Sequence, residues 1–146
     1  MILLGLDPGK STGYSLIEIN DREISLLDFG IEKDEQVKTV GELILKADKV
    51  ICEDFKLRPN MARSGAFDYD NLVASRVIGK IELLCQLGEK ELVKQQASLK
   101  PMAYGFAGMR YQKGKKGMHW QDAFSHAVYF AVKNQLASPL KHELSS

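Results

Sequence analysis

The sequence predicts a single α/β domain, and three observations carry that expectation. Three short runs rich in apolar, β-branched and aromatic residues open the chain, with only a few turn residues between them. Helical and strand-like periodicities then alternate, the pattern of crossover connections that lay strands parallel. Finally, 146 residues with 45% apolar and 27% charged side chains describe an ordinary globular chain with one core, which excludes a disordered tail-like protein and a disulfide scaffold.

In order, residues 1–7 read as a buried strand and 13–19 as a second, with a turn at Asn20-Asp21. Residues 24–31 make a third strand, most simply in an antiparallel meander. Across 34–47, Val37, Val40, Leu43, Ile44 and Ala47 recur at helical spacing, long enough to cross over to a strand at 49–55 parallel to the first. Residues 56–68 are rich in turn formers, and Asp68 or Asp70 would cap a helix running to about Leu87, ended by Gly88. Its stripe is Tyr69, Leu72, Val73, Val77, Ile81 and Leu84. A fifth strand covers 91–94, and residues 95–103 form a turn or a short helix broken by Pro101. Residues 104–118 hold four glycines and Arg110, Lys113, Lys115 and Lys116 with no acid, the composition of a mobile surface loop. A last helix spans 118–136, and a frayed tail follows from Ser138. The domain is therefore placed at 1–137 and the tail at 138–146.

The net charge of +1 hides a split. Residues 1–55 hold 6 basic against 12 acidic residues, and residues 56–146 hold 14 against 7. An acidic, cation-attracting site beside a basic surface that meets a polyanion would have this asymmetry. Cys52 and Cys85 lack metal-site spacing and read as packing residues. The opening Met-Ile-Leu-Leu-Gly-Leu has no basic leader, and no apolar run approaches the ~18 residues that span a bilayer. A cytoplasmic protein with no membrane partner is expected.

The chemistry concentrates at acids that end apolar runs. Asp7 closes the first strand just before Pro-Gly, and Glu53 closes the fourth. If those strands are parallel neighbours, both carboxylates emerge at one edge of the sheet. On the last helix His119, Asp122 and His126 lie at i, i+3 and i+7, within an arc of roughly 60°. A helix on that edge could bring Asp122 to the other two acids. Three carboxylates in a cleft repel unless cations sit among them, and oxygen ligands with an imidazole suit Mg²⁺ or Mn²⁺. Two such ions would clamp a scissile phosphate, so metal-assisted phosphodiester hydrolysis is the expected reaction. Asp54 is a rival to Glu53, because successive strand residues face opposite ways.

Other readings compete for the opening. Gly5-Leu-Asp-Pro-Gly-Lys-Ser-Thr12 nearly spells a nucleotide-binding P-loop, yet it is one residue short and a strand, not a helix, follows. An actin-like phosphate loop requires a second domain, for which the chain has no room. A non-catalytic nucleic-acid module would explain the basic loop but not the acids.

With Gly5-Leu-Asp-Pro-Gly-Lys-Ser-Thr-Gly-Tyr14, Val50-Ile-Cys-Glu53 and His119-Trp-Gln-Asp-Ala-Phe-Ser-His-Ala127 in view, the chain resembles the RuvC-like Holliday-junction resolvases of the ribonuclease H-like superfamily, particularly the small phage-type members. The resemblance implies a mixed five-stranded sheet of order 3-2-1-4-5, strand 2 antiparallel, with helices on both faces. It implies a divalent-metal-dependent endonuclease that cuts branched DNA such as four-way junctions, acting as a homodimer in the cytoplasm of a bacterial host. Asp7, Glu53 and Asp122 match three catalytic acids, and His119 falls on a fourth ligand position. His126 would be a supporting or alternative ligand. Lys10, Arg58, Arg63, Lys100, Arg110, Lys113, Lys115 and Lys116 are candidate phosphate contacts, Phe55 stands near the family's aromatic wedge, and the helix of residues 70–87 corresponds to the one used for dimerisation. An alternative within the superfamily acts on RNA–DNA hybrid or RNA; an ATP-binding protein is the more remote one.

Overall fold

A computed structural model describes residues 1–55 and 69–141, with main chain only at 69–71. Arg58, Arg63 and the cap candidate Asp68 lie outside the described residues, as do residues 142–146 and the side chain of Asp70. Five strands form one sheet in the order β3-β2-β1-β4-β5. They are β1 (Ile2–Asp7), β2 (Thr12–Asn20), β3 (Glu23–Glu32), β4 (Lys49–Asp54) and β5 (Glu91–Gln96). Strand β2 runs antiparallel to β1 and β3, whereas β4 is parallel to β1 and to β5. The described helices are α1 (Lys38–Lys46), α2 (Tyr69–Leu87), α3 (Lys100–Phe106) and α4 (His119–Lys133). The expected mixed α/β sheet of order 3-2-1-4-5 is the one observed.

Strand parity sorts the core into two layers. Leu4, Leu6, Val50 and Cys52 face α1 and α2, where they meet Val40, Ile44, Val73, Val77 and Ile81. Leu3, Ile17 and Ile51 face the other way, onto Phe124, Ala127, Val128 and Ala131 of α4. Both cysteines are free and buried in the first layer, as packing residues. Leu72, counted in the α2 stripe, turns outward. Asp21 and Arg22 both have positive φ, so the β2–β3 connection is the two-residue hairpin whose twist suits paired strands.

Several boundaries differ from expectation for local reasons. Helix α1 begins at Lys38 rather than 34, because Asp34 and Glu35 adopt left-handed backbone. Glu32, reaching over from the end of β3, then accepts hydrogen bonds from the Thr39 and Val40 amides and caps the helix. Pro101 opens α3 instead of breaking a helix, since a first-turn proline gives up no helical hydrogen bond. Residues 104–106, read as mobile loop, therefore belong to α3, and Tyr104 is buried. Past residue 137 the chain is still held: the Ser138 amide donates to Arg22 O and the Leu140 amide to Phe106 O. Among the described residues no helix is long and apolar enough to cross a membrane.

Candidate active site

The parity that buries Leu3 and Ile51 against α4 also aims Asp7 and Glu53 to that side, at the C-terminal ends of β1 and β4. Leu6 pairs with Cys52, so the two acids are the next step on adjacent parallel strands. Asp54 has the opposite parity, which settles its rivalry with Glu53. Next along the sheet, Glu53 is paired with Gln95 of β5.

Helix α4 lies almost on the main chain of the sheet. A Cβ at Gly5 would overlap the carbonyl of Ala123, and one at Gly13 would overlap the main chain of His119. Ala123, Ala127 and Ala131, all fully buried, complete this close face, and Ser15 Oγ donates to Trp120 O at 2.8 Å. Small residues on both elements thus bring three polar side chains of one helix to the sheet edge. His119 Nδ1 is 3.3 Å from Asp7 Oδ2. His126 is wholly buried, with Nδ1 2.9 Å from Gln95 Oε1 and Nε2 3.5 Å from Glu53 Oε1.

Asp122 reaches the cluster through two partners from α3. Tyr104 donates its hydroxyl to Asp122 Oδ1, and Lys100 Nζ stands 3.2 Å from Asp122 Oδ2 and 2.9 Å from Glu53 Oε1. The contact with Glu53 is an ion pair lying off the line of a hydrogen bond. Lys100, expected as a surface phosphate contact, is placed between two of the candidate catalytic acids.

The electrostatics follow from burying these acids together. Burial, reinforced by the neighbouring Glu53, pushes the Asp7 carboxyl far above the usual carboxylate range, against the pull of His119 and Lys100. Burial also acts to raise Glu53, but the neighbouring His126 and Asp7 side chains and the Lys100 charge overcome it and hold Glu53 low. Asp7 is therefore the member of the pair that keeps a proton. The Asp7 hydrogen bond raises His119. Burial would lower the Lys100 ammonium, but Glu53, Asp7 and Asp122 more than reverse it, so it stays charged.

The donor set is hard and short of positive charge, which suits a divalent cation better than a soft one. Among the described residues no three His, Cys, Asp or Glu side chains already surround one point in ligating geometry. The ammonium of Lys100 instead bridges Glu53 and Asp122, in the manner of a built-in cation. Beside it opens a cavity of about 230 Å³ lined by Lys100, Tyr104, Tyr111, Gln112, Lys115 and Asp122, among others. Arg110, Lys113, Lys115 and Lys116 are exposed on the loop that forms its rim, and Lys10 is exposed beyond β1. Phe55 is half-buried against the α1–α2 core. The turn after β1 leads into strand β2 rather than a helix, so a P-loop is excluded.

No family model and no curated protein matches the sequence. Solved structures do match in shape. RuvC of Thermus thermophilus in complex with Holliday junction substrate superposes with a TM-score of 0.61 at 17% identity, covering 96% of this chain and all of that one. The fold is RuvC-like. A second Thermus thermophilus RuvC structure agrees at 0.61 and 16% identity over the same spans. Fowlpox virus resolvase, solved with substrate Holliday junction DNA, gives 0.59 at 13% identity over 92% of this chain and 99% of that one. The RuvC-like fold puts β1, β4 and α4 side by side, which is why acids more than a hundred residues apart converge.

Sequence reasoning missed Gln95 and Tyr104. Gln95 sits at a strand end without a motif around it, and Tyr104 was hidden in a stretch read as loop. The usable signal was a proline two residues into a helix start, which would have extended α3 over Tyr104.

Proposed function

We propose that this chain is a divalent-metal-dependent endonuclease that hydrolyses phosphodiester bonds in branched DNA, with Asp7, Glu53, His119 and Asp122 as the ligands of Mg²⁺ or Mn²⁺. The observation that carries the reading is the gathering of three carboxylates at the ends of β1, β4 and α4, on a RuvC-like fold, next to a basic rim. When bound, a pair of divalent ions supplies a lowered water pKa and stabilises charge on the phosphate oxygens. The chain's own residues do the rest. Glu53, held ionised, and Asp7 in its ionised form would present their oxygens to such ions. Tyr104 fixes the orientation of Asp122. Lys100 carries a permanent charge that can turn from the acids to a phosphate oxygen. Lys10, Arg110, Lys113, Lys115 and Lys116 position the backbone of the nucleic acid without reading bases. A homodimer in the cytoplasm, placing one site on each of two strands, completes the proposal.

Incubation with a four-way junction, a flap, linear duplex and RNA–DNA hybrid, with and without Mg²⁺ or Mn²⁺, tests it. Metal-dependent nicking of the junction by the wild type and none by Asp7→Asn is the expected result. Cleavage of the hybrid alone would reassign the chain to ribonuclease chemistry, and ATP turnover without nicking would overturn the reading.

A further inference from the structure

Strand β3 forms one edge of the sheet, with β2 as its neighbour. Among the described residues no other segment hydrogen-bonds to its main chain. Its register with β2 sorts the side chains onto two faces. Ile24, Leu26, Phe29 and Ile31 stand opposite Ile19, Ile17, Ser15 and Gly13, on the α4 side, whereas Glu23, Ser25, Asp28 and Glu32 take the other side. Helix α4 covers the apolar row only in part. Phe29 touches Trp120, ring centroids 4.5 Å apart, yet it is 50% exposed, with Leu26 at 39% and Ile31 at 40%. An open edge with a row of exposed apolar side chains is a template on which another strand pairs. The register shifts at Leu27, a bulge that leaves Asp28–Glu32 as the longest regular stretch of that edge.

Charge decides the occupant. Residues 11–32 carry five acids, Glu18, Asp21, Glu23, Asp28 and Glu32, against one base, Arg22. Glu18 stands opposite Ser25, so it shares the face of Glu23 and Asp28 and makes that face acidic. Nucleic acid is repelled there. A second copy fits poorly as well, because antiparallel pairing in a two-fold dimer continues each face of the sheet and sets acids opposite acids. We propose that β3 is a docking edge for a strand of a partner protein in which lysines or arginines alternate with apolar side chains. The main chain of Asp28–Glu32 supplies the template, Phe29 and Ile31 the apolar contacts, and Asp28 with Glu23 the charge that sets the partner's face and register. This docking does not depend on the endonuclease reading.

The probe is a peptide of about ten residues alternating lysine with valine, titrated into the ¹⁵N-labelled full chain and followed by amide shifts and hydrogen exchange. The largest shifts and the slowed exchange are expected on Asp28–Glu32. The same peptide with glutamate for lysine should bind about 10-fold more weakly or worse. Asp28→Lys combined with Glu23→Lys, both at exposed positions, should reverse that preference with the circular-dichroism spectrum unchanged. No binding of the lysine peptide overturns the proposal, and so do shifts gathered at Asp7, Glu53 and Asp122 instead of β3. Protection of the β3 amides that grows with protein concentration would give the edge to a second copy. Protection that appears on adding a four-way junction would give it to DNA. Either result also overturns the proposal.

Discussion

Replacing Asp7 by Asn should stabilise the metal-free protein while abolishing cleavage. The carboxyl of Asp7 is raised from 3.8 to about 8, with burial as the largest cause. Between those values the native state binds more proton than the unfolded chain, so the stability contributed at low pH is lost as pH rises through the window. At pH 7 the ceiling on that cost is ~4 kcal/mol, taking about 1.4 kcal/mol for each pH unit above 3.8. Glu53 moves the opposite way and returns part of it, which leaves ~2 kcal/mol for Asn to recover. In a chain of this size that is a rise in Tm of ~5 °C. Circular-dichroism melts in EDTA at pH 5 and pH 8 read it directly: the gain should be large at pH 8 and small at pH 5. Added Mn²⁺ should raise the wild-type Tm at pH 8 and leave Asp7→Asn nearly unmoved. A wild type equally stable at both pH values, with no gain from Asn, would show that no uncompensated acid is buried there.

Three further outcomes are expected. Gly13→Ala should lift the N-terminus of α4 and cost ~3 kcal/mol in denaturant melts, because its Cβ meets main chain that cannot move aside; cleavage should fall with it. Lys100→Met leaves Glu53 and Asp122 facing without their shared ammonium and should lower metal-free stability by ~2 kcal/mol, a loss that Mn²⁺ reverses in thermal melts. For the exposed loop, Lys115→Ala with Lys116→Ala should flatten the slope of log affinity against log salt for a junction by ~2, measured by titration in increasing NaCl.

Strand periodicity and short turns were enough to read the five strands, because β1, β2 and β4 bury most of their residues and show it, and because β3, although largely exposed, is rich in apolar residues; the helices on both faces came from the family resemblance. Asp7, Glu53 and Asp122 were legible as acids ending apolar runs or sitting at the edge of an apolar helix face. The start of α1 was not, since it depends on a cap supplied by Glu32 from the preceding strand. The place of Lys100 was equally hidden. A lysine in a basic half of the chain reads as surface, and only the turn of α3 after β5 carries it back among the acids.

The close seat of α4 on Gly5 and Gly13 also sets when the site can exist. His119, Asp122 and His126 all ride on that helix, so a growing chain on the ribosome that has released β1 and β4 but not residues 119–133 has only half of its charged cluster. Any phosphodiester chemistry at this site is then silent until α4 has been made and has settled on the sheet. Synthesis itself times the appearance of activity.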